Sequence, residues 1–155
     1  MLFASYMRSN SRSNQVLDFN IDNPQFSRQQ PGPYPWDSPN RFLSWGLLPI
    51  YKGFDFAYST ELRTGFPFHV VNDQIQLVEP PGSRRFPIWF TLNTHIEKRF
   101  RAFGYYWAIR GGFDNVTGHK NYTYVNNDIN SADFLRFGNY EGRAFTGRLR
   151  FLGKK

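Results

Sequence analysis

The sequence contains no cysteine, which excludes a disulfide scaffold, a thiol nucleophile, a zinc–thiolate site and an iron–sulfur cluster. It also lacks any apolar run approaching the roughly 18 residues of a transmembrane helix, so that kind of membrane anchor is excluded. The first residues have neither the basic segment nor the apolar segment of a secretory signal peptide. The chain is therefore expected either to stay in the cytoplasm or to begin downstream of its own targeting signal.

Aromatic residues are abundant instead, with 17 Phe, 9 Tyr and 4 Trp among 155 residues, although the mean hydropathy is only −0.58. So many rings in so polar a chain indicate that apolar and polar residues alternate finely. A hydrophobic content of 40% excludes a disordered chain, which lacks large apolar side chains. The net charge is +7, and the length suits one domain or part of a larger one.

Strict alternation of apolar and polar side chains, the period of a β-strand, runs through most of the chain, whereas helix-period patterns are rare. In the clearest segment, 54–64, Phe54 and Phe56 lie on one face, and Asp55 and Glu61 lie on the other. The predicted strands are 2–12, 41–48, 54–64, 88–100, 105–116 and 142–152.

Charges follow the same alternation. Almost every charged residue of the strong strands falls on the polar face, and Lys98 is the exception, near a strand end where its ammonium can reach past the apolar surface. In the weaker strand 41–48, Leu43, Trp45 and Leu47 share one face. The charged residues predicted on the polar face are Glu61, Arg63, Glu97, Arg99, Arg110, Asp114, Arg148 and Arg150.

The connections alternate between short and long. Segments 49–53 and 101–104 predict hairpin turns, whereas the loops 13–40, 65–87 and 117–141 are long and rich in Asn, Asp, Pro, Gly and Ser. In an up-and-down meander, strict alternation places all three long loops at one end. Compact soluble domains rarely contain several long structureless loops, whereas outer-membrane barrels combine short periplasmic turns with long external loops.

Strand length favours the same architecture. Ten residues span about 33 Å, and a tilt of roughly 45° leaves about 23 Å of height, close to the roughly 25 Å apolar band of such barrels. Strands of globular proteins usually have about 5–6 residues. The predicted fold is all-β, an antiparallel up-and-down meander of about six strands that forms part of a larger transmembrane β-barrel. Because alternation also describes any sheet with one wet face, a soluble β-sandwich that binds carbohydrate or nucleic acid is the alternative.

No pattern indicates catalysis, a cofactor or a metal site, so we predict that the protein is not an enzyme. His69, His95 and His119 lie far apart, and no pair has the spacing of metal ligands. His69 and His119 fall in loops at the same end of the sheet, but solvated loop histidines are favoured over a shared ligand site. His95 and Glu97 share a strand face and are interpreted as structural hydrogen-bonding groups of a barrel lumen, because a catalytic pair needs a pocket and a third partner.

Two further motifs, a glycine pair and an aromatic segment, could suggest phosphate or nucleic-acid binding but are interpreted as structural. Gly111-Gly112 has no following helix that could cradle phosphate, and it predicts a bend or a close approach inside the barrel. Segment 52–58 partly resembles the base-stacking motif of RNA-recognition domains. However, Asp55 stands where Gly or Ala is expected and no amphipathic helix is visible, so no nucleic-acid partner is predicted.

Five segments resemble TonB-dependent outer-membrane receptors, above all the receptor-like barrels that carry a carboxypeptidase-regulatory-like domain at the N-terminus. They cover essentially the whole chain in the order of the C-terminal end of such a barrel, and the last two are the most specific. The segments are 36–42 (WDSPNRF), 64–68 (TGFPF), 92–100 (LNTHIEKRF), 106–115 (YWAIRGGFDN) and 142–152 (GRAFTGRLRFL).

The resemblance implies that the chain is a C-terminal fragment of a receptor located in the outer membrane of a Gram-negative bacterium. Barrels of this class have about 22 strands around a plugged lumen, and about eight strands are the known minimum for closure. The signal peptide, the TonB-contacting segment and the plug domain would be absent, so the fragment is not expected to transport alone. The parent would import a metal chelate or an oligosaccharide, with ligand contacts from Asn, Asp, Tyr and Arg of the long loops.

The resemblance also implies the partners of the chain. These are outer-membrane lipid, the remaining strands and the plug domain, the TonB complex through the absent N-terminal parts, and the barrel assembly machinery through the final strand. That strand differs from the usual assembly signal, which ends in a terminal Phe, because Leu152 and three further residues follow Phe151. The external side would carry the long loops, and Lys52 and Arg101 would face the periplasm.

Overall fold

The computed structural model describes residues 1–14 and 30–154, which form twelve strands and no helix. Within those residues, no helix is long and apolar enough to cross a membrane. The long strands are β1 (Leu2–Arg8), β4 (Asn40–Tyr51), β5 (Phe54–Arg63), β8 (Trp89–Ala102), β9 (Tyr105–Asp114) and β12 (Ala144–Gly153). The short strands are β2 (Arg12–Ser13), β3 (Gly32–Pro33), β6 (Pro67–Phe68), β7 (Arg84–Arg85), β10 (Asn121–Val125) and β11 (Phe137–Glu141).

The six long strands form one antiparallel sheet in the order β1-β4-β5-β8-β9-β12, which is their order along the chain. The prediction of an all-β antiparallel meander of six strands is therefore confirmed. The sheet is not closed, and β1 and β12 form its two edges. The first strand is shorter than the predicted 2–12, because Arg12 and Ser13 leave the sheet to pair with Pro33 and Gly32.

The two predicted hairpins are tight two-residue turns. Lys52 and Gly53 have φ values of 40° and 78°, and Phe103 and Gly104 have φ values of 53° and 78°. Positive φ at both central residues defines a type I′ turn, whose twist matches the right-handed twist of the paired strands. Glycine at the second position adopts a positive φ without strain. Because the turns are this short, β4 and β8 extend beyond the predicted 41–48 and 88–100.

A bulge in β4 decides which face its apolar residues occupy. Tyr51 pairs with Phe54 but Pro49 pairs with Asp55, so one extra residue lies in β4 next to the turn. A shift of one residue moves every following side chain to the opposite face. Leu43, Trp45 and Leu47 do share a face, as the alternation indicated, but it is the polar face of the neighbouring strands.

Lys98 lies on the apolar face, as predicted, between Phe54 and Ile109 of the adjacent strands. Its Nζ lies 4.1 Å from the centroid of the Phe54 ring and donates a hydrogen bond to the carbonyl oxygen of Lys52 in the turn. The ammonium thus reaches the end of the sheet while the aliphatic part of the side chain covers apolar surface.

The long connections carry structure of their own. Three small ribbons form in them, β2–β3, β6–β7 and β10–β11, while residues 15–29 of the predicted loop 13–40 lie outside the described part of the chain. Phe68, Val70 and Val125 from the second and third loops form a buried cluster, and Val71 pairs with residues of both loops. The residues packed around this cluster are Phe86, Phe134, Leu135 and Phe137. The apolar core of the described residues therefore lies in the loops.

Candidate functional site: the polar face of the sheet

The polar face carries charges from adjacent strands in common cross-strand rows. Asp55, Glu97, Arg110 and Arg148 occupy directly paired positions on β5, β8, β9 and β12. The next row toward the loops contains His95, Gly112 and Thr146. The strand register places these charged residues on the face that the alternation predicted for them. The face therefore presents a continuous band of ionisable and hydrogen-bonding groups.

Small side chains on β9 allow β12 to contact β8 directly. Ala108 and Gly112 lie on the polar face of β9 and leave space above the strand. Through this space, Arg150 Nη2 donates to Glu97 Oε2 at 2.5 Å, and His95 Nε2 lies 2.8 Å from Thr146 Oγ1. These two contacts join β12 to β8 across β9, in addition to the backbone ladders that each strand forms with β9.

His95 and Glu97 thus have partners other than each other. His95 is buried and lies 3.5 Å from Asp114 as well as near Thr146. Glu97 is buried too, and its Oε1 lies 3.6 Å from Arg99 Nε while its Oε2 contacts Arg150. Buried ionisable groups of this kind require such partners, because an unpaired buried charge is strongly destabilising.

The predicted close approach at the glycine pair occurs at Gly112. A Cβ atom at Gly112 would lie 2.1 Å from the Thr94 carbonyl oxygen and 2.6 Å from the His95 Cα. At Gly111, on the apolar face, the nearest atom would be Phe145 Cζ at 3.9 Å, an ordinary contact distance. A side chain is therefore sterically excluded at position 112 but not at position 111.

At the loop end of the polar face, aromatic rings hold an arginine. The Arg63 guanidinium lies 3.9 Å from the centroid of the Phe66 ring and 4.4 Å from that of Trp89. Glu61 contacts both Arg63, at 3.4 Å, and Arg41, at 2.9 Å. Stacking on two rings fixes the plane of the guanidinium, so its remaining N–H groups have defined directions. Trp89 is an apolar side chain on the polar face of β8, and its cross-strand pairing with Arg63 explains that position.

An open recess of about 590 Å³ lies beside this arginine, under the loops. Its walls combine aromatic rings with charged and hydroxyl groups, which is the combination that stacks on and hydrogen-bonds a polar organic solute. Sequence reasoning assigned ligand contacts to the loops in general but did not identify this recess. Its lining residues are Met7, Ser9, Ser11, Trp36, Asp37, Ser38, Arg41, Glu61, Arg63, Phe66 and Trp89.

Buried hydrogen bonds hold the loops over the recess. Asp37 is buried and accepts a 2.6 Å hydrogen bond from Arg85, whose other terminal nitrogen donates to the carbonyl oxygens of Asp37 and Gly65. Asn121 is fully buried, and its amide exchanges two 2.8 Å hydrogen bonds with the backbone of Phe90. The motif around Asp37 is thus attached to the second loop, and the third loop is attached to β8.

Two of the three histidines lie in these loops and do not form a shared site. His69 Nδ1 accepts a hydrogen bond from the Gly82 amide at 2.9 Å, and His119 Nδ1 lies 3.1 Å from Asn121 Oδ1. Within residues 1–14 and 30–154, no group of His, Asp and Glu side chains could hold a metal ion.

Elsewhere in the second loop, hydrogen bonds from Arg84 and Ser83 hold the pKa of the Glu79 carboxyl below its ordinary value.

Comparison with known protein families, with curated proteins and with solved structures finds no match for this chain.

Proposed function

We propose that this chain is the C-terminal part of the β-barrel of a TonB-dependent receptor-like outer-membrane protein, of the type with a carboxypeptidase-regulatory-like N-terminal domain. The observation that carries the proposal is an uncovered apolar sheet face on the opposite side to a charged, hydrogen-bonded face. In a barrel of this class the first would contact lipid and the second would line the lumen.

The apolar face is continuous across all six long strands. Soluble proteins rarely leave such a surface uncovered, and large exposed apolar patches mark contacts with a membrane or a protein. No layer of the described residues packs over it, as the exposure of Phe145 (70%) and Leu149 (61%) shows. The exposed residues of this face are Leu2, Tyr6, Phe42, Leu48, Phe54, Leu62, Ile96, Phe100, Tyr105, Ile109, Phe113, Phe145, Leu149 and Phe151.

The length of the strands fits the thickness of a bilayer. Strands β5, β9 and β12 have 10 residues each, β4 has 12 and β8 has 14. At a tilt of roughly 45°, ten residues give about 23 Å of height, which supports a membrane-spanning sheet. Aromatic residues occur at both ends of the face, with Phe100, Trp107 and Phe151 near the turns. Rings at these depths are typical of the interfacial girdles of outer-membrane barrels.

The connections support the same proposal. Both two-residue turns lie at one end of the sheet, and the described parts of the three long connections, with their ribbons and buried cluster, lie at the other. This asymmetry is typical of barrels whose short turns are periplasmic and whose long loops are external.

The unpaired edges of the sheet, at β1 and β12, are expected if the chain is one part of a larger barrel. Six strands cannot close, and unpaired edges within lipid would cost several kcal/mol for each orphan backbone group. The remaining strands of the parent would pair with β1 and β12 and surround the plug domain. The parent would take up a metal chelate or an oligosaccharide through TonB, and the recess beside Arg63 is where a polar solute would contact this segment.

The alternative, a soluble β-sandwich, would need a second sheet over the apolar face. Size-exclusion chromatography of the purified chain without detergent distinguishes the two. We expect aggregated or insoluble protein in plain buffer and a discrete species only in detergent. A monodisperse peak at the monomer mass of 18.3 kDa in plain buffer would overturn the membrane proposal.

A further inference from the structure

Two neighbouring arginines on the polar face have no counter-ion among the described residues. Arg110 on β9 and Arg148 on β12 are direct cross-strand partners, and their guanidinium groups project from the same face. Like charges at directly opposed positions destabilise a sheet unless another group compensates them. Arg148 is exposed and Arg110 is half-buried, so a compensating group could reach both from the open side.

The nearby carboxylates are engaged elsewhere. Glu97 is paired with Arg110 in the register, but its oxygens contact Arg150 at 2.5 Å and Arg99 at 3.6 Å. Asp55, at the next position along the row, lies 3.4 Å from Arg99. None of the described carboxylates lies within ion-pair distance of the two arginines.

The arginines line an open recess of about 370 Å³, a size that accommodates a single small solute. His95, Asp114, Thr146 and Gly147 complete its lining. The Asp114 carboxylate would repel an anion. However, it lies 3.5 Å from His95 Nε2, and the cross-strand row that contains Gly112 separates it from the two arginines. With His95 neutral, two arginines and one aspartate leave a formal charge of +1 around the recess (2 − 1).

We propose that this recess binds a small oxyanion, a phosphate or a carboxylate, between the guanidinium groups of Arg110 and Arg148. Guanidinium presents paired N–H donors that match the two oxygens of a phosphate or carboxylate edge, and charge-assisted hydrogen bonds of this type are about twice as strong as neutral ones. The bound anion would also remove the repulsion between the two arginines. The inference does not depend on the membrane proposal, because the recess lies on the polar face whatever covers the other face.

The test uses the 155-residue chain in a non-ionic detergent and measures its urea unfolding midpoint by circular dichroism. Inorganic phosphate is titrated at constant ionic strength, with chloride as the balancing anion. A ligand that binds only the folded state raises the midpoint as its concentration increases. We expect phosphate to raise the midpoint of the natural chain, and the chloride series to leave it unchanged.

Arg110→Gln and Arg148→Gln are the test variants, and Arg136→Gln, in an exposed loop, is the control of equal charge change. Each test variant should weaken phosphate affinity by about tenfold or more, the loss expected for a hydrogen bond to a charged group. Without phosphate, both should be at least as stable as the natural chain because the repulsion is removed. The control should respond to phosphate like the natural chain.

Glucose 6-phosphate and glucose distinguish a free anion from an anion carried by a larger solute. Binding of both phosphates but not of glucose places recognition at the oxyanion, and binding of inorganic phosphate alone limits the site to the free anion. A natural chain without a phosphate response overturns the proposal, and so does an equal response in Arg148→Gln. Neither result bears on solubility in plain buffer, so failure of this inference is distinguishable from failure of the membrane proposal.

Discussion

At the residue scale, two small side chains determine which strands can contact each other across the polar face. Neighbouring strands lie about 4.8 Å apart, so a side chain on β12 must cover about 10 Å to meet one on β8. Ala108 and Gly112 on the intervening β9 leave room for these contacts. A larger side chain at either position would separate Arg150 from Glu97 or Thr146 from His95.

We predict that Gly112→Ala destabilises the chain and that Gly111→Ala does not. The Cβ atom at Gly112 would lie 2.1 Å from a carbonyl oxygen of β8, so the backbone of two paired strands must separate. Overpacking of this kind costs about 1–3 kcal/mol. Urea unfolding of the chain in detergent measures the free energy of unfolding of both variants.

Gly111→Ala is the matched control, because its Cβ would meet only the edge of the Phe145 ring at 3.9 Å. Equal losses for the two variants would show that the close approach at Gly112 does not exist.

At the element scale, β12 has two faces with different requirements. Leu149 pairs with Ile109 on the uncovered apolar face, and Arg148 pairs with Arg110 on the polar face. A one-residue step along the strand therefore changes the environment from lipid to lumen in the proposed barrel.

We predict that Leu149→Arg impairs assembly of the parent barrel, whereas Arg148→Gln leaves assembly nearly intact. A charge on the lipid face costs about 2–4 kcal/mol at mid-membrane and less near the interfaces. The measurement is heat-modifiable gel mobility of the outer-membrane fraction, in which a folded barrel migrates differently before and after boiling. A folded band in Leu149→Arg together with its loss in Arg148→Gln would mean that the strand faces the other way.

At the scale of the whole molecule, the buried core and the uncovered apolar face of the sheet are separate. The cluster around Phe68, Val70 and Val125 joins the second and third loops, and backbone hydrogen bonds between Val71 and residues of the third loop extend the contact. The second and third loops therefore form a packed cap at one end of the sheet. Asn121 attaches the third loop to β8, and Asp37 attaches the first loop to the second loop through Arg85.

We predict that epitope tags placed at the tips of the second and third loops label on intact cells that express the parent barrel. Gln74 and Ala132 are exposed insertion points that avoid the cluster, whereas Asn127 donates a hydrogen bond to the His69 carbonyl oxygen and would disturb the cap. A tag at Lys52, in a short turn, should label only after the outer membrane is permeabilised.

Labelling of the Lys52 tag on intact cells, with none at Gln74 or Ala132, would reverse the orientation. It would leave the sheet itself unaffected, since the strand order does not depend on the direction of insertion.

The sequence alone determined the features that depend on neighbours along the chain. The number and order of the six long strands, the two tight turns and the face of the charged residues in the strongly alternating strands follow from the two-residue period and from the connections, including glycines at positions of positive φ. Lys98 could be assigned to the apolar face for the same reason. The glycine pair 111–112 could be assigned to a bend or a close approach, but only the structure shows that the close approach is at Gly112.

Only the tertiary structure decided the features that depend on residues far apart in sequence. The bulge near Pro49 turned Leu43, Trp45 and Leu47 to the polar face, because one inserted residue exchanges the two faces of the strand beyond it. The apolar–polar alternation is the same on both sides of the bulge, so the sequence does not reveal this exchange. Val70 and Val125 lie in short apolar stretches of otherwise polar loops, and these stretches are too short for a periodicity to mark them as a core. The pairing of Arg150 with Glu97, and the unpaired state of Arg110 and Arg148, likewise depend on the register of three strands, which hydrophobic alternation does not encode.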